Sequence, residues 1–243
     1  MYHWNWGIFL DPTGTGQTYL AWLFSGLGLT VALGLVAWVI GLVLGTAVGL
    51  ARTLPNRAIA TFAATYVEVL RNIPLMVQLF TIYFVLPELL PGEMGAAVKR
   101  INPVAQQFLA AAICLGLYTS ARIAEQVRSG IDSLADSSRQ AALALGFTLS
   151  QAYRHVLLPL AFRIIMAPLS SEFMTVFKNS AVASMIGLLE LAAQGRQLVD
   201  YTSQPYEAFI AVTALYLVLN MSALRVMRFV EAKTRVPGFA TAK

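Results

Sequence analysis

From Leu20 to Leu50 the chain carries no charged side chain. A helix needs about 20 apolar residues to cross a hydrocarbon core of roughly 30 Å, because each residue advances it by ~1.5 Å. The stretch is longer than that minimum and predicts a tilted, retained transmembrane helix. The remaining composition agrees. Hydrophobic residues make up 58% of 243 and charged residues 12%, against about 45–50% and about 25% in soluble domains; mean hydropathy is +0.67. So little charge cannot cover a water-facing surface. The reading is an integral membrane protein, with the bilayer as its main partner and no nucleic acid bound. Disorder and a fibre fit equally badly.

A secretory signal opens with basic residues, whereas no Lys or Arg precedes Arg52, and Trp4, Trp6, Asp11 and Pro12 lie in the leading segment. That segment reads as a short external arm, with Trp4, Trp6 and Trp22 as interfacial anchors. Hydrophobic stretches predict an all-α protein with five transmembrane helices, at about 20–50, 62–86, 104–124, 164–191 and 208–224. Basic residues set the orientation, since cytoplasmic loops are enriched in Lys and Arg. Arg52 and Arg57 follow the first span. Arg128, Arg139, Arg154 and Arg163 follow the third, and the tail holds Arg225, Arg228, Lys233, Arg235 and Lys243. The opposite side holds Lys99, Arg100 and Arg196. This places the N-terminus outside and the C-terminus in the cytoplasm. Residues 1–243 read as a single transmembrane domain.

The sizeable segment outside the membrane is a cytoplasmic loop at about 128–163. Residues 140–145 favour a helix, Gly146 is a plausible stop, and Ser150 a reasonable N-cap for a second helix. The pair fits either an amphipathic hairpin lying on the membrane or a docking surface. No G-x-x-x-x-G-K-[ST] or H-E-x-x-H pattern is present, so neither ATP hydrolysis nor metal hydrolysis is expected of this chain. His3 and His155 fall on opposite sides of the membrane, and a lone Cys114 excludes an internal disulfide. A transport role without cofactor, metal or catalytic residue is the expectation.

Ionisable residues at membrane depth are costly and often functional. Lys178 lies fifteen residues beyond Arg163, about 22 Å along a helix; it serves a substrate path or pairs with Glu172. Asn179 beside it suits either role. Arg122 either snorkels while pairing with Glu125 or grips a carboxylate through two parallel bonds. Arg71 either pairs with Glu68 or lines the path, and Glu172 and Gln78 are further path candidates. Gly41, Gly45 and Gly49 form a small-residue stripe suited to close helix contact, within the chain or across a dimer. Pro74 and Pro168 are expected to bend their helices.

The loop spacing carries a resemblance. Ala141-Ala142, then Gly146, then Val156 and Leu158-Pro159 resembles the signature loop of bacterial ABC importer permeases, with Gln140 where the family has glutamate. Tyr66–Phe80, Tyr118–Ile131 and Phe177–Gly187 resemble three further segments of the polar amino-acid permeases, and Arg122 with Glu125–Arg128 is similar to their glutamate/aspartate branch. The resemblance implies the five-helix permease core, used as a homo- or heterodimer in the bacterial inner membrane. It implies that Gln140, Ala141, Ala142, Gly146, Leu158 and Pro159 couple to a separate cytoplasmic ATP-binding subunit dimer. It also implies an extracytoplasmic amino-acid-binding protein and favours Arg122 as a substrate-path residue, beside the candidates that membrane depth supplies, Lys178, Asn179, Glu172, Arg71 and Gln78. The competing expectation is a secondary transporter or channel, which frequently shows two similar halves; no internal repeat is visible here.

Overall fold

The computed structural model describes residues 2–14, 16–134 and 136–234. Arg235 and Lys243, counted among the basic tail residues above, lie outside them. The described backbone is helical without a named strand, and one isolated bridge joins Pro12 to Thr18 just before the first long helix. The principal helices are α1 (Tyr19–Ala51), α2 (Arg57–Asn72), α3 (Leu75–Leu89), α4 (Gly92–Lys99) and α5 (Pro103–Asp132). They continue as α6 (Asp136–Ala144), α7 (Leu149–Ile164), α8 (Met166–Asn179), α9 (Leu191–Thr202) and α10 (Pro205–Thr234).

By length and composition α1, α5 and α10 can each cross a membrane. The stretches expected as continuous spans at 62–86 and 164–191 are instead broken. Each passes the same test only as a bent pair, α2 with α3 and α7 with Met166–Ile186, so the count reaches five when each pair is one span. Prolines supply the physical reason. Ile73 is extended (φ −93°, ψ 129°), as a residue before proline is pushed to be, and the helix restarts after Pro74. Pro168 has no N–H to offer the carbonyl of Ile164, where α7 ends, and Ile165 leaves the helical region (φ −88°, ψ 7°). Beyond Asn179 the chain tightens into a 3-10 turn, Ser180–Ile186, which ends at Gly187 with φ 90°.

Two further prolines leave a different mark. In α3 and α7 the segments Thr81–Val85 and Tyr153–Leu157 widen to π-helix, just before Pro87 and Pro159. Leu86 N–H reaches the Thr81 carbonyl and Leu158 N–H the Tyr153 carbonyl, five residues back rather than four. A wider turn relieves the collision between each proline ring and the carbonyl four residues earlier.

The chain forms two compact units. The first draws on Met1–Trp38, Pro74–Gly116 and Thr175–Ser222, the second on Val39–Ile73, Leu117–Met174 and Ala223–Lys243. In the first, Leu33, Leu79, Cys114, Val176 and Leu188 are buried together, and Ile8, Leu23, Leu198 and Val212 form another cluster. The N-terminal arm is tied down in this unit: the Tyr2 hydroxyl donates to the Glu207 carboxylate, which also accepts the Asn5 N–H at 2.6 Å. In the second, Val67, Ala121 and Ala124 pack with Val48, Tyr66 and Leu70. The Tyr66 and Ser120 hydroxyls lie 2.7 Å apart, linking α2 to α5.

The glycine stripe resolves in the second unit. Gly45 faces Ser120 and Ile123 of α5, and Gly49 faces Ala124 and Val127. Its use at these two positions is close packing within the chain.

Candidate substrate site and coupling loop

Tyr118, Arg122 and Gln126 recur every four residues along α5 and so share one face. In the second unit that face meets Glu172 of α8. Arg122 Nε donates to one Glu172 carboxylate oxygen and Nη2 to the other, both at 2.8 Å, and Gln126 Nε2 adds a third bond at 3.3 Å. The guanidinium carbon lies 5.9 Å from the centre of the Tyr118 ring, within range of cation–π attraction. Glu172 is 8% exposed and Arg122 41%. A carboxylate so withdrawn from water is held only where a cation and donors satisfy it; the fork supplies both. The arrangement is a carboxylate grip at an open edge, filled by a carboxylate of the protein itself.

The local pairings considered for these residues are therefore replaced. Glu172 bonds Arg122, not Lys178. Glu125 does not serve Arg122 but anchors a cluster on another side of α5. There Arg52 bonds it directly, Arg128 reaches it at 2.6 Å, and Arg71 lies 3.6 Å away, in place of the expected Arg71–Glu68 pair. Arg128 also reaches Asp132 at 2.5 Å. Arg71 is half-exposed, and the cluster joins the ends of α1 and α2 to α5.

Lys178, Asn179 and Gln78 belong to the first unit. Lys178 is exposed in the last turn of α8, where a cation opposes the negative end of the helix dipole. Asn179 is half-buried and Gln78 buried.

The loop forms in the second unit as a helix, a turn and a helix. Gly146 ends α6 with φ +86°; its N–H donates to Leu143 and that of Phe147 to Ala142. These two bonds close the helix with a left-handed residue, a conformation that glycine adopts without penalty. The cap of α7 is Thr148 rather than Ser150. Its hydroxyl accepts the Gln151 N–H at 3.3 Å while the Gln151 side chain accepts the Thr148 N–H at 2.8 Å, a reciprocal capping box. Of the residues expected to couple, Ala142 is buried, Gln140, Ala141, Gly146 and Pro159 are exposed, and Leu158 is half-buried. The Tyr153 hydroxyl donates to the Thr53 carbonyl at 2.8 Å, tying the loop to the end of α1. Around that bond lies a cavity of about 290 Å³ lined by Thr53, Asp132, Arg139, Tyr153 and Leu157. The turn leaves Leu143, Leu145, Phe147 and Leu149 exposed, Leu145 by 80%.

Residues 39–236 match the family described as binding-protein-dependent transport system inner membrane component. The chain belongs to this family. As a permease it is similar to the glutamate/aspartate import permease protein GltJ of Escherichia coli (strain K12), 49% identical over 97% of this chain and 96% of that one. It is 30% identical to the glutamine transport system permease protein GlnP of the same strain, over 88% of this chain and 93% of that one. Among solved structures, a chain from an amino acid ABC transporter with histidines superposes with a TM-score of 0.74 at 30% identity, covering 88% of this chain and 95% of that one. The permease is a transport component and not an enzyme.

Gln126 was missed as a site residue, and only the spacing of four from Arg122 could have shown it. Thr148 was legible, since Thr-x-x-Gln before an apolar run is a capping-box pattern. For the permease loop, Gly146→Val should separate ATP hydrolysis from uptake in reconstituted transporter. A β-branched residue resists positive φ at a cost of about 1–2 kcal/mol, although a Cβ there would meet open space. Uptake per ATP should fall severalfold, while Gly146→Asn, which tolerates this conformation, stays near the parent. Equal coupling in both variants would remove the turn from the transmission path.

Proposed function

We propose that this permease lines the path of an ATP-driven importer for acidic amino acids, glutamate and aspartate, in the bacterial inner membrane. In this reading its five spans run with the N-terminus outside. An extracytoplasmic binding protein delivers substrate to a permease dimer, and a separate ATP-binding dimer docks on the 128–163 segment. Its closure selects between two permease states through its differing affinity for them.

The observation that carries the substrate class is the two-pronged grip of Arg122 on a carboxylate inside a candidate span. A planar guanidinium matches a carboxylate in geometry as well as charge, which an acidic side chain needs beyond what any amino acid needs. The 49% identity to a glutamate/aspartate permease supports the same class. The exposed apolar residues Leu143, Leu145 and Phe147 support docking on the loop.

The test is reconstitution with the ATPase, the second permease and the binding protein. Arg122→Tyr should lower ATP-driven glutamate uptake by at least about tenfold, the worth of a charged hydrogen-bonded contact, and glutamine uptake by much less. Equal losses for the two substrates would make Arg122 structural. Uptake that follows a sodium or proton gradient and ignores ATP would point to a secondary transporter.

A further inference from the structure

The Arg122 grip is occupied in this structure by a carboxylate that belongs to the chain. Glu172 presents both oxygens to the guanidinium, the two-bond geometry that carboxylates in general favour on arginine. It is nearly buried, and Gln126 steadies it from the neighbouring turn of α5. A substrate carboxylate cannot form the same fork while Glu172 holds it. The buried carbonyl oxygen of Gln126 has no hydrogen-bond partner among the described residues.

We propose that Glu172 is a tethered competitor for the acidic substrate, a specificity-determining residue that takes Arg122 back whenever the site empties. This rests on the reading of Arg122 as the carboxylate-binding residue. Two physical consequences follow. A bare guanidinium at this partly exposed edge would hold an anionic substrate more tightly and release it more slowly than one already paired. An internal carboxylate lowers that affinity, because the substrate gains only the difference between its own contacts and those of Glu172. The site also stays charge-paired between substrates, so an emptied Arg122 is not left as an uncompensated charge. Neutral amino acids, which bring no side-chain carboxylate, do not repay the displacement of Glu172 and are disfavoured.

The experiment measures equilibrium binding of labelled glutamate to the complete transporter in nanodiscs, without nucleotide and without binding protein. Glu172→Gln keeps size and hydrogen bonding but removes the competing charge. It should tighten glutamate binding by about tenfold, within the usual range of coupling between competing states. Glu172→Asp, shorter by one methylene, should fall between it and the parent. Arg122→Gln should lose binding, and the double variant should behave as Arg122→Gln alone. In ATP-driven uptake, Glu172→Gln should lower KM and kcat together, because release becomes slow. If Arg122→Gln loses binding while Glu172→Gln binds no more tightly than the parent, the competitor role is wrong and the Arg122 reading stands. If Arg122→Gln binds glutamate normally, both fall. Should Glu172→Gln not assemble, Glu172→Asp decides: binding no tighter than the parent overturns the proposal.

Discussion

Replacing Glu190 by alanine should destabilise the permease by roughly 3 kcal/mol or more, through several buried donors orphaned at once. Glu190 is fully buried and caps α9. One carboxylate oxygen accepts the Ala193 N–H at 2.8 Å, and the other accepts the Ala192 N–H at 3.1 Å. The second oxygen also accepts the Tyr216 hydroxyl at 2.8 Å and the Thr30 hydroxyl at 3.4 Å. Thr30 in turn accepts the Leu191 N–H at 3.1 Å. One side chain thus joins α1, α9 and α10 within the first unit, at a helix start where negative charge is favoured. Alanine removes at once the acceptor of two backbone N–H groups and two hydroxyls. The Glu190→Gln variant keeps one acceptor oxygen and should recover part of the loss. For a chain of this size, 3 kcal/mol corresponds to a melting temperature lower by about 6–12 °C. Thermal unfolding in detergent or nanodiscs measures it. A Glu190→Ala permease that melts within a degree or two of the parent would show that the clamp contributes little.

The second large effect concerns the glycine stripe. A Cβ on Gly45 would come within 2.7 Å of both the Ser120 carbonyl and Ile123 Cβ, and one on Gly49 within 2.7 Å of the Ala124 carbonyl. Two of these obstacles are backbone atoms, which cannot turn aside as a flexible side chain can. Gly45→Ala should therefore cost about 1–3 kcal/mol by overpacking, and Gly45→Leu more. The damage reaches beyond stability. The displaced segment of α5 carries Arg122 and Gln126, so on the proposed reading of Arg122 glutamate binding should weaken with it. Gly28 is the control, since a Cβ there meets nothing within 4 Å. Gly28→Ala should be neutral, or stabilising by up to about 1 kcal/mol through helix propensity. If Gly45→Ala and Gly28→Ala unfold alike, the close approach of α1 to α5 is not a constraint.

The two predictions differ in how far sequence could anticipate them. The spacing of Gly41, Gly45 and Gly49 announces a close contact, because four residues bring side chains back to one helical face. What it cannot announce is the partner, which the structure gives as α5 for Gly45 and Gly49. Glu190 announces less. Read in order it is a carboxylate at the end of an apolar stretch, and its donors come from residues 30 and 216 as well as 192 and 193.

The same division runs through the candidate site. Arg122, Glu172, Lys178 and Arg71 stand out by sequence alone, since charge in lipid demands an explanation. The partners it offered were those within a turn or two, or the nearest opposite charge. Arg122 instead took Glu172, fifty residues away, and Arg71 took Glu125 of another helix.

Sequence alone determined the membrane class, the hydrophobic stretches and the turn at Gly146. These follow from local quantities: transfer of apolar residues from water, and the backbone limits of glycine and proline. It located Pro74 and Pro168 as bends but not the break of each stretch into two helices. Only the tertiary structure decided which carboxylate fills the Arg122 grip, which arginines share Glu125 and what the glycine stripe packs against. Such pairings depend on which helix faces meet, and meeting is set by the packing of the whole chain.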